Sequence, residues 1–490
     1  MAEGQTEPLK AVKGRANSEP RNVAPQLCCG GPKKTEKMNQ FRSKNPYTGE
    51  LYGEYDFVTA LELERQLKKA ELAFRHWRRV PMAERQALFL ALEQQLLAQK
   101  EELALVVSQE MGKPLRQALA EIEKCAYLIR YYVEFGPRML APHAVDYAPE
   151  SRNMVYYEPL GVILQIMPWN FPFWQVLRFS VPTLLAGNVS LLKHAPNVPR
   201  SAMAIARLFE QAGFPEGVFQ NSFANLEQTA ALIKGSEVAG VSLTGSRRAG
   251  LAVGALAGGS MKKMVLELGG SDPFIVLEGA DLEAAAKAGV QSRFGNNGQT
   301  CIAAKRFIVE RSLAADFLDA LKAEIAQLRQ GDPIADNLDL SCMAREDLAL
   351  ELAQQKADSL AAGAQLLLDG GKGAGSLFSP VILGQAPKGS PAYSEELFGP
   401  VLSFFEVADA AAAIYLANDS IYGLGGAIWT DEERALQLAS SLEVGTLAIN
   451  QLMRSAPHTP FGGVKQSGLG RELAANGIKE FVNVKSILRS

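Results

Sequence analysis

From Val162 onward the chain alternates short, apolar, β-rich runs with helical stretches, and no other feature limits its fold as tightly. Val162 to Met167, Val189 to Lys193, Gly217 to Ser222, Ala239 to Thr244 and Met264 to Leu268 read as strands. Ser201 to Ala212, Leu226 to Lys234 and Arg247 to Gly258 read as the helices between them. Strands separated by helices are βαβ units, which build parallel sheets covered on both faces. A second series follows, with strand Pro273 to Leu277, helix Leu282 to Arg293, strand Arg306 to Val309 and helix Leu313 to Leu328. The strands Leu447 to Asn450 and Val482 to Leu488 complete it. Two α/β domains in series suit 490 residues, too many for one core.

The upstream region is helical. Leu63, Leu67, Ala70 and Phe74 fall at spacings of four, three and four, which line one helix face. Leu88, Leu92 and Leu96 mark a second helix, and Leu115, Leu119, Ile122 and Cys125 a third. Cys125 reads there as a small apolar residue on the buried side. Residues 1–37 are rich in Gly, Pro, Glu, Lys and Arg and lack apolar periodicity. They read as a disordered extension, with neither the h-region of a secretory signal nor the acid-poor character of a transit peptide.

Composition removes several functions. Lys and Arg number 50 against 53 Asp and Glu, a net charge of −3 that leaves no phosphate-neutralising surplus for nucleic acid. Five cysteines in so long a chain suit a reducing compartment, so a cytoplasmic location is expected. Four histidines, none paired at a ligand spacing, speak against a His-based zinc site or a Ser-His hydrolase. The longest uncharged run, Pro159 to Leu177, is broken by Pro168 and Pro172 and carries Gln165, Asn170 and Gln175. It reads as a buried strand and a loop rather than a membrane span.

Four segments could carry chemistry. Phe294-Gly-Asn-Asn-Gly-Gln-Thr-Cys301 is a polar loop ending in a cysteine, with Gly295 and Gly298 free to take unusual backbone angles. Such a loop can present a nucleophilic thiol to backbone amides, or it can hold an inert, half-buried cysteine. Glu267, in Val265-Leu-Glu-Leu-Gly-Gly270, ends an apolar strand. Buried, it is a general base with a raised pKa; exposed, it is a solvated strand-end carboxylate. Asn170, in Met167-Pro-Trp-Asn-Phe-Pro-Phe173, is either an oxyanion-binding amide held by two prolines or ordinary turn chemistry. The turn at Gly245 and Ser246 opens a helix whose amino terminus suits a pyrophosphate, although it is not GxGxxG. Lys193, at another strand end, can reach a ribose or solvent.

Taken in this order, and with Glu396-Leu-Phe-Gly-Pro-Val401 and Pro460-Phe-Gly-Gly-Val-Lys-Gln-Ser-Gly468, these segments resemble the aldehyde dehydrogenase superfamily over nearly the whole chain from Met38. The runs around Tyr157 to Ile163 and Leu192 to Pro196 look most like bacterial-type succinate-semialdehyde dehydrogenases. The resemblance implies Cys301 as nucleophile, Glu267 as general base and Asn170 as oxyanion ligand. It implies NAD or NADP as cofactor, held by Met167, Pro168, Trp169, Lys193, Gly245, Ser246, Leu268, Glu396 and Phe398, with no metal. The product is a carboxylic acid formed through a thiohemiacetal and a thioester, with succinate semialdehyde as the expected substrate. Other aldehydes, or a non-catalytic member of the fold, are the alternatives.

Two positions depart from the pattern. Pro196 stands where NAD-preferring relatives carry a ribose-binding glutamate, which leaves NADP open. Arg178 matches a carboxylate-binding arginine, but the second such arginine is Gly295 here, with Arg454 or Ser455 as stand-ins. The implied architecture is α/β: a Rossmann-like cofactor domain (38–140 and 158–266), a catalytic domain (267–460) and a small β bridging element (141–157 and 461–490). The two apolar strands of that element, far apart in sequence, imply strand addition between subunits and hence a homodimer or homotetramer.

Overall fold

The mainly apolar run 162–167, with Gln165 its one polar residue, forms a central strand of a six-stranded sheet, buried on both faces. The structure, a computed structural model, describes residues 40–144 and 153–489. The extension 1–37 and the start expected at Met38 lie outside the described residues. Strand 162–167 pairs in parallel with 189–194 on one side and 238–244 on the other. Strand 219–221 lies beyond the first and 263–267 beyond the second, again in parallel. The chain thus winds outward from 162–167 in both directions. The reversal falls between 162–167 and 238–244, and open parallel sheets bind ligands at the carboxyl edge beside such a reversal.

The second sheet has seven strands in the order 365–368, 381–384, 401–407, 304–310, 272–276, 425–429, 446–449. All of its pairs are parallel except the first. Strand 263–267 ends the winding of the first sheet and 272–276 starts the second, with Leu268 to Ser271 between them. This short link brings the carboxyl edge of one sheet to the amino edge of the other.

Helices 60–77, 82–98 and 115–139 fall on the three expected segments. A fourth, Lys100–Met111, follows the second directly. Gln99 closes one helix and opens the next with no Gly or Pro to mark the break. Strand 482–487 pairs antiparallel with Met154–Pro159, whose other edge takes His143–Ala144. His143–Ala144, Met154–Pro159 and Val482–Ile487 therefore share a three-stranded sheet; residues 145–152 lie outside the described residues.

Candidate active site

A cavity of about 350 Å³ opens where the two sheet edges meet. Its walls include Pro168, Trp169 and Asn170 after strand 162–167, Gly245 and Ser246 after strand 238–244, and Glu267 and Leu268 after strand 263–267. Cys301, Glu396 and Phe398 enter from the second sheet, ahead of the strands 304–310 and 401–407. Ten of the residues singled out from sequence therefore line one space.

The loop carrying Cys301 is held by amide side chains. Asn296 and Asn297 both sit in the left-handed region (φ 56°), and Gly298 follows at φ 73°. A Cβ at Gly298 would lie 2.5 Å from the backbone of Gly399, so no other residue fits there. Gly295 is different: it is extended (φ −53°), and nothing lies within 4 Å of a Cβ built on it. The unusual angles expected of Gly295 belong to the two asparagines instead, a residue type that tolerates the left-handed region. Asn296 Nδ2 donates to the Asn170 carbonyl at 2.8 Å, and Asn297 Nδ2 to that of Gly112 at 2.8 Å.

Asn170 is buried, and its Nδ2 donates to the Gln299 carbonyl at 3.0 Å. One N–H of a two-donor amide is thereby used to fix its orientation, and the other remains for a ligand. The helix that follows, Pro172–Leu185, is anchored by Glu121, which accepts from the backbone N–H of Phe173 at 2.9 Å and Trp174 at 3.0 Å. Glu121 in turn forms a buried ion pair with Lys113.

Burial pushes the Cys301 thiol up to about 11, against the pull of the nearby Lys305 and Arg178 cations. Glu267 is buried, and neither of its carboxylate oxygens has a hydrogen-bond partner among the described residues. Burial, and then the neighbouring Glu472 carboxylate, holds its pKa well above the usual range. A carboxylate in this state accepts a proton near neutral pH, as general-base work requires. The thiol, the base and the oriented amide together can support acyl transfer through a thioester.

The remaining walls suit a nucleotide. Ser246 caps the helix Arg247–Gly259, accepting from the Ala249 N–H at 3.3 Å, so the amino end of that helix opens on the cavity. The rings of Trp169 and Phe398 meet edge to face at 5.8 Å, giving an aromatic wall for a flat heterocycle. Glu396 accepts from the Gly270 N–H at 3.1 Å and pairs with Lys305 at 3.2 Å. These donors, the apolar wall and the carboxylate fit a dinucleotide.

Five expected residues do not line the cavity. Met167 is buried in its strand, its carbonyl 3.2 Å from the His194 ring, and Lys193 lies under the Phe41 ring at 5.6 Å. Arg178 requires a correction as a substrate ligand. Its guanidinium forms a buried ion pair with Glu472, touches Thr244 Oγ1 at 3.4 Å and lies 4.8 Å from the Phe461 ring centre. The acid that occupies it sits far along the chain, where no local pattern signals it. Arg454 is exposed; Ser455 is buried and accepts from Lys124 Nζ at 3.0 Å. Sequence reasoning missed Gln175, Thr244 and the helix residues Leu348, Glu351, Leu352 and Gln355. That helix, Glu346–Ala361, has an ordinary amphipathic pattern, so nothing in its sequence marks a ligand wall.

The chain belongs to the aldehyde dehydrogenase family, whose sequence profile matches residues 33–487. It is 46% identical over 450 residues to an Escherichia coli (strain K12) protein named succinate semialdehyde dehydrogenase [NAD(P)+] Sad, covering 91% of this chain and 97% of the relative. A Mycobacterium tuberculosis (strain H37Rv) protein, succinate-semialdehyde dehydrogenase [NADP(+)] 1, is 43% identical over 449 residues, covering 90% and 98%. The solved structure of succinic semialdehyde dehydrogenase from Streptococcus pyogenes with NADP+ matches with a TM-score of 0.88 at 34% identity, covering 91% of this chain and 99% of that one.

Proposed function

We propose that this protein oxidises an aldehyde to its carboxylic acid with NAD or NADP, and that the aldehyde is succinate semialdehyde. The carrying observation is the convergence of Cys301, Glu267 and Asn170 on one cavity whose other walls fit a dinucleotide. The substrate rests on the relatives, several of which are named for succinate semialdehyde. Cys301 Sγ adds to the aldehyde carbon, and the resulting oxyanion takes the free N–H of Asn170. Glu396, Phe398 and the amino end of the helix 247–259 would hold the ribose, the nicotinamide ring and the pyrophosphate of a dinucleotide, which would supply the hydride acceptor. The thioester left on Cys301 is then hydrolysed by a water that Glu267 deprotonates. Pro196 offers no carboxylate to repel a 2′-phosphate, which favours use of both cofactors.

The same reading places the protein in the cytoplasm as a homodimer or homotetramer. The free thiols of Cys125, Cys301 and Cys342 support the first. The edge strand 482–487, with Val484 and Ile487 exposed, supports the second. It also keeps the three-part division at 38–140 with 158–266, 267–460, and 141–157 with 461–490. The test is a set of initial rates over several aldehydes, each with NAD and with NADP. The reading fails if succinate semialdehyde is no better than unsubstituted aldehydes, or if no aldehyde reduces either cofactor.

A further inference from the structure

Of the four histidines only His194 is buried, and the reaction as read above leaves it without a part. It closes strand 189–194, which lies in parallel beside strand 162–167, the strand that runs into the loop of Asn170. Its ring reaches both ends of that loop. Nε2 lies 3.1 Å from the carbonyl of Pro172, the first residue of the helix Pro172–Leu185. Nδ1 lies 3.2 Å from the carbonyl of Met167, the last residue of strand 162–167. Between those two carbonyls stand Pro168, Trp169, Asn170 and Phe171.

The hydrogen bonds assign the ring's proton. The Ala195 backbone N–H donates to Nδ1 at 2.8 Å, so that nitrogen is an acceptor. A neutral imidazole carries one donor and one acceptor, which places the proton on Nε2, where it donates to the Pro172 carbonyl. Burial keeps the ring neutral, bringing it down to about 4 against the pull of the Pro172 and Met167 carbonyls, with the Lys193 charge acting in the same direction as burial. The other ties of Asn170 run to the opposite sheet's loop: its Nδ2 donates to the Gln299 carbonyl, and its own carbonyl accepts from Asn296 Nδ2. Glu121 ties the start of the helix to helix 115–139 through the N–H groups of Phe173 and Trp174. His194 ties it to the sheet that the loop leaves.

We propose that His194 is a positioning residue for the oxyanion: by bonding the Asn170 loop at Pro172 and packing against its other end at Met167, it holds the free N–H of the Asn170 amide where the oxyanion forms. This rests on the aldehyde-oxidising reading above. The ring itself touches no reacting atom. One oxyanion donor is worth about a hundredfold to a thousandfold in kcat, and a displacement of about 1 Å forfeits much of such an effect. A histidine that only filled the core would alter stability without any dependence on Asn170.

The experiment is kcat and KM for succinate semialdehyde in wild type, His194→Gln, His194→Asn, Asn170→Ala and the double variants that join Asn170→Ala to each His194 change. A glutamine can place its amide N–H where Nε2–H stands and keep the bond to Pro172. An asparagine reaches only as far as Nδ1 and loses it. His194→Asn should lower kcat about tenfold to a hundredfold with much less change in KM, and His194→Gln should retain most of the wild-type kcat. In the Asn170→Ala background His194→Asn should cost little more, because the donor that it positions is already gone. Rates are expressed per dinucleotide-binding site, counted by tryptophan fluorescence titration, so a partly unfolded variant does not mimic the effect. Losses at the two sites that simply multiply overturn the proposal, as does a His194→Gln no better than His194→Asn. Wild type that oxidises no aldehyde overturns the underlying function instead.

Discussion

Lys305 pairs with Glu396 at 3.2 Å, and the same ammonium donates to the backbone carbonyl of Cys301 at 2.7 Å. One buried cation thus joins the loop of the proposed nucleophile to the proposed ribose ligand. It also acts through space, since Lys305 is the largest influence lowering the Cys301 thiol. Lys305→Met should raise that thiol's pKa further and slow its alkylation by iodoacetamide at fixed pH, on the order of tenfold for each pH unit by which the titration moves up. In wild type the alkylation rate should climb with pH toward about 11, because the thiolate is the reacting form. Mass spectrometry of the Cys301 peptide separates it from Cys125 and Cys342. A plateau near neutral pH would contradict both statements.

Cys301→Ala should abolish aldehyde oxidation and leave cofactor affinity nearly intact. Glu267→Gln should permit one hydride transfer and then stall, giving a burst of reduced cofactor close to one per active site and little turnover. Because burial holds Glu267 well above the usual carboxylate range, wild-type kcat should rise with pH as this base loses its proton. Stopped-flow absorbance reads the burst. Normal turnover in Glu267→Gln would remove Glu267 from the base's role.

Gly269 marks how closely the backbone meets Glu396. A Cβ at this position would lie 2.1 Å from Glu396 Oε2 and 2.9 Å from its Cδ. Gly269→Ala must therefore turn the Glu396 carboxylate away from its present place beside Gly270 and Lys305. Dinucleotide affinity should fall about tenfold, roughly one hydrogen bond to a charged group, with little change in melting temperature. Calorimetric titration with NAD and NADP checks this; unchanged affinity would mean that Glu396 does not hold the cofactor.

The central parallel strands are legible in the sequence because they are buried on both faces and so read as mainly apolar runs, as 162–167 does with Gln165 its one polar residue. The cavity residues are legible for a different reason. Asn170, Gly245 and Glu267 all follow or close strand ends, and a doubly wound sheet gathers its carboxyl ends at one edge. What sequence cannot show is side-chain partnership across long separations. Arg178 offers the same local pattern whether it faces a ligand or Glu472, and only the folded chain brings Phe461, Thr244 and Glu472 around it.

Arg178 therefore carries a prediction about stability. Arg178→Met would leave Glu472 buried beside Glu267 with no cation against it, and removing one member of a buried pair costs about 3–5 kcal/mol. Burial already raises the pKa of Glu472, with Arg178 opposing the rise, so the substitution lifts it further. A carboxyl whose folded-state pKa exceeds its unfolded value binds a proton more tightly in the native state. Its contribution is present in full below the unfolded value and is lost as pH rises through the folded one. The deficit of Arg178→Met relative to wild type should thus be smallest in acid and should widen toward neutral pH. Adding Glu472→Gln should recover much of it, since no buried charge then remains. Urea unfolding at several pH values measures both effects, and the ratio of kcat/KM for succinate semialdehyde to that for butanal, the same chain without the acid, reads any role in substrate binding. A ratio that collapses while stability is unaltered would return Arg178 to the substrate; a loss of stability with the ratio preserved fixes it as the partner of Glu472.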